Sequence, residues 1–273
     1  MSDQDFFAVP RTTTTTSAGD VELPILYHDV SIVQAFFRCD LDRVAPKLAG
    51  TGLLPARFLG GTALVGVAFF EYRETSIGSY NEAAIAVAAV PAQARAPRLP
   101  SLEFFRDPRQ RTVGMYILDL PVTTEAARAA GREIWGYPKF LTEIPFRHQD
   151  GQFDCAVDDP AGGEPLLALR GALGRSLGLD AFHLTLYSNH RDQLVKTVVD
   201  VRCPTRVSRG TQTSLAASPG DHRMAANARD LGLVGATPLV VQVSDAFQSR
   251  LNDGESIGPW ETPPIPYADT ETS

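Results

Sequence analysis

Segment after segment of this chain is rich in β-branched and aromatic side chains or alternates in polarity: residues 25–40, 57–75, 82–90, 111–122, 141–149, 152–159, 165–173, 181–189, 194–203 and 237–247. Read as strands, these segments make the chain predominantly β. Helices are predicted to be few and short. Asp40 is placed to cap a helix through LDRVAPKLAG that Pro46 limits, and Thr123 or Thr124 to cap the alanine-rich TEAARAAG, which is expected to end at Gly131. Beyond it, Pro138 holds Tyr137 out of the helical region, so Lys139 is expected on a stiff extended segment. No internal repeat is visible, and strands do not alternate with long helices as in a doubly wound sheet. The fold class expected is α+β, dominated by β.

A chain of 273 residues, 44% of them hydrophobic, is long enough for one large domain or two ordinary ones. No linker interrupts it, which predicts a single domain over 21–262, with a flexible N-terminal tail (1–20) containing the threonine run and a C-terminal tail (263–273). A formal charge of -7 and a pI near 5.3 give no electrostatic basis for binding nucleic acid or an anionic membrane, so a small-molecule partner is expected. The acidic N-terminus does not read as a secretory signal, and no apolar run has membrane-spanning length. Cys39, Cys155 and Cys203 are odd in number and lack paired CxxC spacing, which predicts buried, reduced thiols in a cytoplasmic protein.

Lysine is scarce: Lys47, Lys139 and Lys196 are the only three. An arginine stays charged in proteins, whereas a desolvated lysine can lose its proton and become a nucleophile. Lys47 sits at what reads as an exposed helix end, and Lys196 in a polar-edged run. Lys139, in GREIWGYPKF, is flanked by Trp135, Tyr137, Pro138, Phe140 and Leu141. Those neighbours predict a desolvation penalty on its charged form, hence a lowered pKa and a nucleophilic amine. From composition alone, the alternative is a stem packed on aromatics with its head in water. Glu82 shares a strand face with Tyr80, and a carboxyl held against an apolar sheet is suited to acid–base work; the alternative is a solvated glutamate at a strand entry.

Gly131-Arg132-Glu133 followed by Tyr137-Pro138-Lys139 resembles the active-site segment of the acetoacetate decarboxylase family, in which a GRE element leads into a Y/F-P-K lysine that forms a Schiff base. Upstream, Gly78-Ser79-Tyr80-Asn81-Glu82 is similar to the family's G-x-Y-x-E element, whose glutamate faces the lysine and shuttles protons. FFRCDLDRVAP resembles a strand-to-helix entry of the family, extending the likeness over about residues 25 to 245. The chain departs from the decarboxylases where they carry a second lysine, here Phe140, and one alignment puts Val67 where they have a second glutamate. No match to their substrate-binding arginine is found near His28 to Ser31.

The resemblance implies a cone-like antiparallel β-barrel with few short helices, a catalytic domain holding Lys139 in an interior cavity, and a homo-oligomer. It implies Lys139 as nucleophile and Glu82 as proton shuttle. Tyr80, Tyr137, Trp135 and Arg132 are the candidate substrate-binding residues; Tyr80 and Tyr137 are alternatively packing aromatics, and Arg132 and Glu133 alternatively a structural ion pair. The expected activity is that of a lyase acting on a small keto acid, by decarboxylation or related carbon–carbon cleavage. The alternatives are an aldolase-dehydratase condensing pyruvate or a similar 2-keto acid with an aldehyde, and a non-catalytic keto-acid-binding protein. No cofactor is expected, because the amine itself supplies the electron sink. No metal is expected either: His28, His148, His183, His190 and His222 are dispersed without ligand spacing. The glycines of GALGRSLG match no phosphate-binding motif, and no GxSxG appears.

Overall fold

The computed structural model describes residues 6–259. In chain order the strands are β1 (Thr12–Thr16), β2 (Gly19–Leu23), β3 (Ile25–Asp40), β4 (Leu53–Pro55), β5 (Thr62–Thr75), β6 (Tyr80–Pro91), β7 (Gly114–Asp119), β8 (Phe146–Gln149), β9 (Gln152–Val157), β10 (Leu167–Ala172), β11 (Leu177–Asp180), β12 (Leu184–His190), β13 (Gln193–Arg202), β14 (Pro204–Ser208), β15 (Thr213–Ala217) and β16 (Val240–Pro259). Among the described residues four short helices are named: α1 (Leu41–Leu48), α2 (Pro100–Glu103), α3 (Glu125–Trp135) and α4 (Arg223–Asp230). The β-dominated class expected from the sequence is the one observed.

Among the described residues, seven strands close into a barrel in the order β16-β13-β12-β7-β6-β5-β3, sealed where β16 pairs with β3 from Val240↔Phe36 to Leu251↔Ile25. One pairing departs from the antiparallel expectation. β12 runs parallel to β7, with Leu186 opposite Met115 and Tyr187 opposite Tyr116. A parallel pair cannot be joined by a hairpin and needs a long crossover; here the crossover carries α3, the Lys139 segment and β8 to β11.

Strand alternation sorts the core into two faces. Ile32, Phe70, Tyr72, Tyr80, Ala84, Ile117, Val199 and Phe247, together with partly buried Leu184 and Leu186, draw on all seven barrel strands and fill the interior. The opposite positions, including Val33, Val67, Phe69, Ile85 and Val87, pack outward on Phe153, Cys155, Leu167 and Leu169 of a four-stranded sheet, order β15-β10-β9-β8, and on α1 and α4. The three cysteines are free and buried.

Three local expectations are corrected. The threonine run, expected to be a flexible tail, forms β1 and pairs with β2 from Thr12↔Leu23 to Thr16↔Gly19, because β-branched residues suit an extended pleated backbone whatever their low complexity suggests. Its turn is tied to α3: Ser17 N–H donates to Glu133 Oε2 at 3.0 Å, and Ser17 Oγ to Glu133 Oε1. The α1 helix continues through Pro46 to Leu48, and α3 runs past Gly131 to Trp135. The expected end of the domain at 262 and the tail 263–273 lie outside the described residues. No helix among the described residues is long and apolar enough to cross a membrane.

Two histidines are held neutral by their structural roles. His222 Nδ1 caps α4 by accepting from Met224 N–H (3.2 Å), and His183 Nδ1 accepts from Val201 N–H (2.9 Å). Burial lowers the pKa of both. A base whose folded pKa is depressed binds more protons unfolded, so this stability is present above the unfolded value of about 6.5 and is lost as pH falls below it. The melting temperature should therefore fall from pH 7.5 to 5.5. His222→Asn, which caps without titrating, should flatten that fall; an unchanged slope on calorimetry would remove His222 from the account.

Candidate functional site

Thr124 Oγ1 starts α3 by accepting from Ala127 N–H, and Gly136 ends it in the left-handed region at φ 69. Only glycine fits there without strain, and a side chain would also run into Asn189 and His190. The chain then turns back. Tyr137 N–H donates to Gly131 O (2.9 Å) and Lys139 N–H to Tyr137 O (2.8 Å). Val122 stitches this segment to β6: its N–H donates to Phe140 O (2.9 Å), its O accepts from Thr142 N–H (3.1 Å), and it forms an antiparallel bridge with Glu82. Residues far apart in sequence are thus placed side by side by a backbone ladder.

The side chains meet accordingly. Lys139 Nζ donates to Glu82 Oε2 at 2.7 Å, with Lys139 6% and Glu82 8% exposed. Tyr72 Oη donates to the other carboxylate oxygen at 3.3 Å. Lys139 Nζ stands 5.8 Å from the centre of the Tyr80 ring, within cation–π range. Tyr27, Tyr72 and Tyr80 form a stack of tilted rings, with the Tyr27 and Tyr80 hydroxyls 3.2 Å apart. Burial, reinforced by the nearby Glu82 charge, pushes all three phenols well above their ordinary pKa.

A narrow pocket of about 10 Å3 opens on this group, lined by Lys139, Tyr27, Tyr80, Trp135 and Tyr137 together with apolar Ile25, Ile77 and Leu251 and the small residues of α3. Gly131 is one of those small residues. A Cβ there would fall closer to Lys139 Cδ and Cε than real Cβ atoms approach, so the missing side chain is the bed on which the lysine stem lies. Gly131→Ala should leave the melting temperature close to wild type: alanine is better in a helix by about 1 kcal/mol, and a flexible stem can move aside. Its turnover should nonetheless fall roughly 10²-fold, the cost of displacing a reacting group by about an ångström. Unchanged kcat in the folded variant would show that the stem's position is not limiting.

Of the residues singled out from the sequence, Lys139, Glu82, Tyr80, Tyr137 and Trp135 come together here. Trp135 is anchored by Nε1 donating to Asn252 O (3.1 Å) and stacks on Tyr137. Arg132 does not line the pocket, and Glu133 is engaged by Ser17 rather than by substrate space. Phe140 packs against the outer core with its ring 5.0 Å from His222. Val67 also belongs to the outer face, so it occupies no site position; the neighbours Ala68 and Phe70 face inward. Near His28 to Ser31, Arg73 is clamped bidentately on Asp29, and Arg202 lies over the Phe7 ring that packs on His28. Sequence reasoning missed Tyr27, Tyr72 and the role of Gly131. Tyr72 was detectable only through its register opposite Tyr80.

A model of the family described as acetoacetate decarboxylase matches residues 8–215. Among solved structures, an acetoacetate decarboxylase shares 18% identity over 87% of this chain and 90% of its own, with a TM-score of 0.63. That from Legionella pneumophila shares 16% over 94% and 95%, with a TM-score of 0.62. The enduracididine biosynthesis enzyme MppR, complexed with the condensation product of pyruvate and imidazole 4-carboxaldehyde, shares 15% over 86% and 90%, with a TM-score of 0.57. A search of curated protein sequences returns no match.

Proposed function

The chain belongs to the acetoacetate decarboxylase family, and on that premise we propose that it is a lyase in which Lys139 forms a Schiff base with a small keto acid while Glu82 moves the protons. The observation that carries this reading is the buried 2.7 Å contact between Lys139 Nζ and Glu82 Oε2. A carboxylate at that distance can take the ammonium proton and leave a neutral amine with a free electron pair. The amine nitrogen attacks the ketone carbon and passes one of its own protons to the carbonyl oxygen, Glu82 adds the second, and water leaves an iminium. The positive nitrogen then draws the electrons of the breaking bond: a β-keto acid loses carbon dioxide and becomes an enamine. Glu82, having taken a fresh proton from solvent water, protonates the enamine carbon, and water hydrolyses the iminium to release product and amine.

A second reading follows from Phe140, whose ring turns away from the pocket where decarboxylases carry a second lysine. Without that cation, the same iminium formed from pyruvate can lose a proton, add to an aldehyde and shed water. Borohydride reduction with acetoacetate and with pyruvate, followed by mass spectrometry, tests the shared step: an adduct on Lys139 is expected. Its absence with both acids would leave a non-catalytic binder. Carbon dioxide release against condensation with added aldehyde then decides between the two reactions.

A further inference from the structure

Among the described residues lining the pocket, Lys139 is the sole cation, and its charge is committed first to Glu82 and then to the iminium. A keto acid's carboxylate must find its partners elsewhere. Arginine does not supply them: Arg132 lies outside the lining and Arg73 is held by Asp29. Hydroxyls are available instead. Tyr137 is 3% exposed and lines the pocket, and the group beside its Oη is the Thr197 hydroxyl, which can donate to it and leave the phenol O–H without an acceptor among the described residues. A buried hydroxyl left without a partner is costly, so one at a pocket wall marks a place for a ligand acceptor. Tyr27 and Tyr80 share a single bond between their hydroxyls, and a pair of phenols has two protons, so one O–H of the couple remains free to donate.

We propose that the substrate carboxylate is bound by neutral phenols, by Tyr137 and by the free O–H of the Tyr27–Tyr80 couple, in place of a cationic clamp. This rests on the Schiff-base reading and specifies what the pocket recognises: an acyl carboxylate within reach of the iminium carbon. Burial holds all three hydroxyls protonated through the neutral and moderately alkaline range, so they act as donors and not as bases. Neutral donors also suit the chemistry. A guanidinium would favour the carboxylate most while its charge is intact, whereas a group that is to leave as uncharged carbon dioxide gains from partners that favour its ground state less.

The test compares wild type with Tyr137→Phe by borohydride trapping on Lys139, using acetoacetate and the uncharged ketone 2-pentanone. In the variant, the acetoacetate concentration for half-maximal trapping should rise roughly 10- to 100-fold, as for a lost hydrogen bond to a charged group, while that for 2-pentanone stays within about twofold. Tyr27→Phe should show a smaller rise, because Tyr80 is then free to donate. The melting temperature of ligand-free Tyr137→Phe should fall little, since the deleted oxygen has only the Thr197 hydroxyl beside it. Equal weakening of both ligands, or of neither, overturns the phenol assignment and leaves the Schiff base standing. No trapping of wild type by either ligand overturns both.

Discussion

Lys139→Arg and Lys139→Met are each expected to abolish the borohydride-trapped adduct and to lower turnover by roughly 10⁴-fold or more, the scale seen when a covalent nucleophile is removed. The two changes fail for different reasons. Arginine keeps a charge that proteins do not remove, so it brings no electron pair to a carbonyl. Methionine keeps the length and apolar character of the stem over Gly131 but carries no amine. The chain provides its own controls, because it has only two other lysines. Lys47 Nζ pairs with Asp230 at 2.7 Å on the surface, and Lys196 Nζ donates to the carbonyls of Arg109 and Arg111. Neither lines the pocket, and Lys47→Arg should trap as wild type does. Normal turnover in a folded Lys139→Met variant would end the covalent mechanism.

The pairing of Lys139 with Glu82 was legible in the sequence, but for different reasons from those that built the fold. Alternation and β-branched content are local quantities, and they located the long strands β3, β5, β6 and β13 close to where they lie. The contact between Lys139 and Glu82 is not local. It depends on Val122 bridging both segments, and no periodicity of either segment announces that; the GRE…YPK and GxYxE resemblances did. Register accounts for what stayed hidden. Tyr72 is a site residue because it lies opposite Tyr80, and Val67 is not one because it falls on the other face; a one-residue slip exchanges those roles. Gly131 misled for a related reason. A glycine near the end of an alanine-rich stretch reads as a stop, yet here it sits inside α3 because the helix must leave room for a lysine eight residues later in the chain, a tertiary demand that outweighs propensity.

Glu82→Gln is expected to lower turnover by roughly 10²- to 10⁴-fold, the range for removing a positioned general acid–base, and to slow trapping of Lys139 as well. Glutamine keeps the size of the side chain and an oxygen for Tyr72, but it cannot take the ammonium proton. The lysine then meets substrate as a cation, and both imine formation and enamine protonation lose their proton carrier. Stability reports on the same proton. Removing one partner of a buried ion pair typically costs about 3–5 kcal/mol because the remaining charge is left uncompensated. The melting temperature of the variant should fall accordingly. Trapping at the wild-type rate across pH 6 to 9 would show that Glu82 only packs against Lys139, and the proton-shuttle role would have to be reassigned.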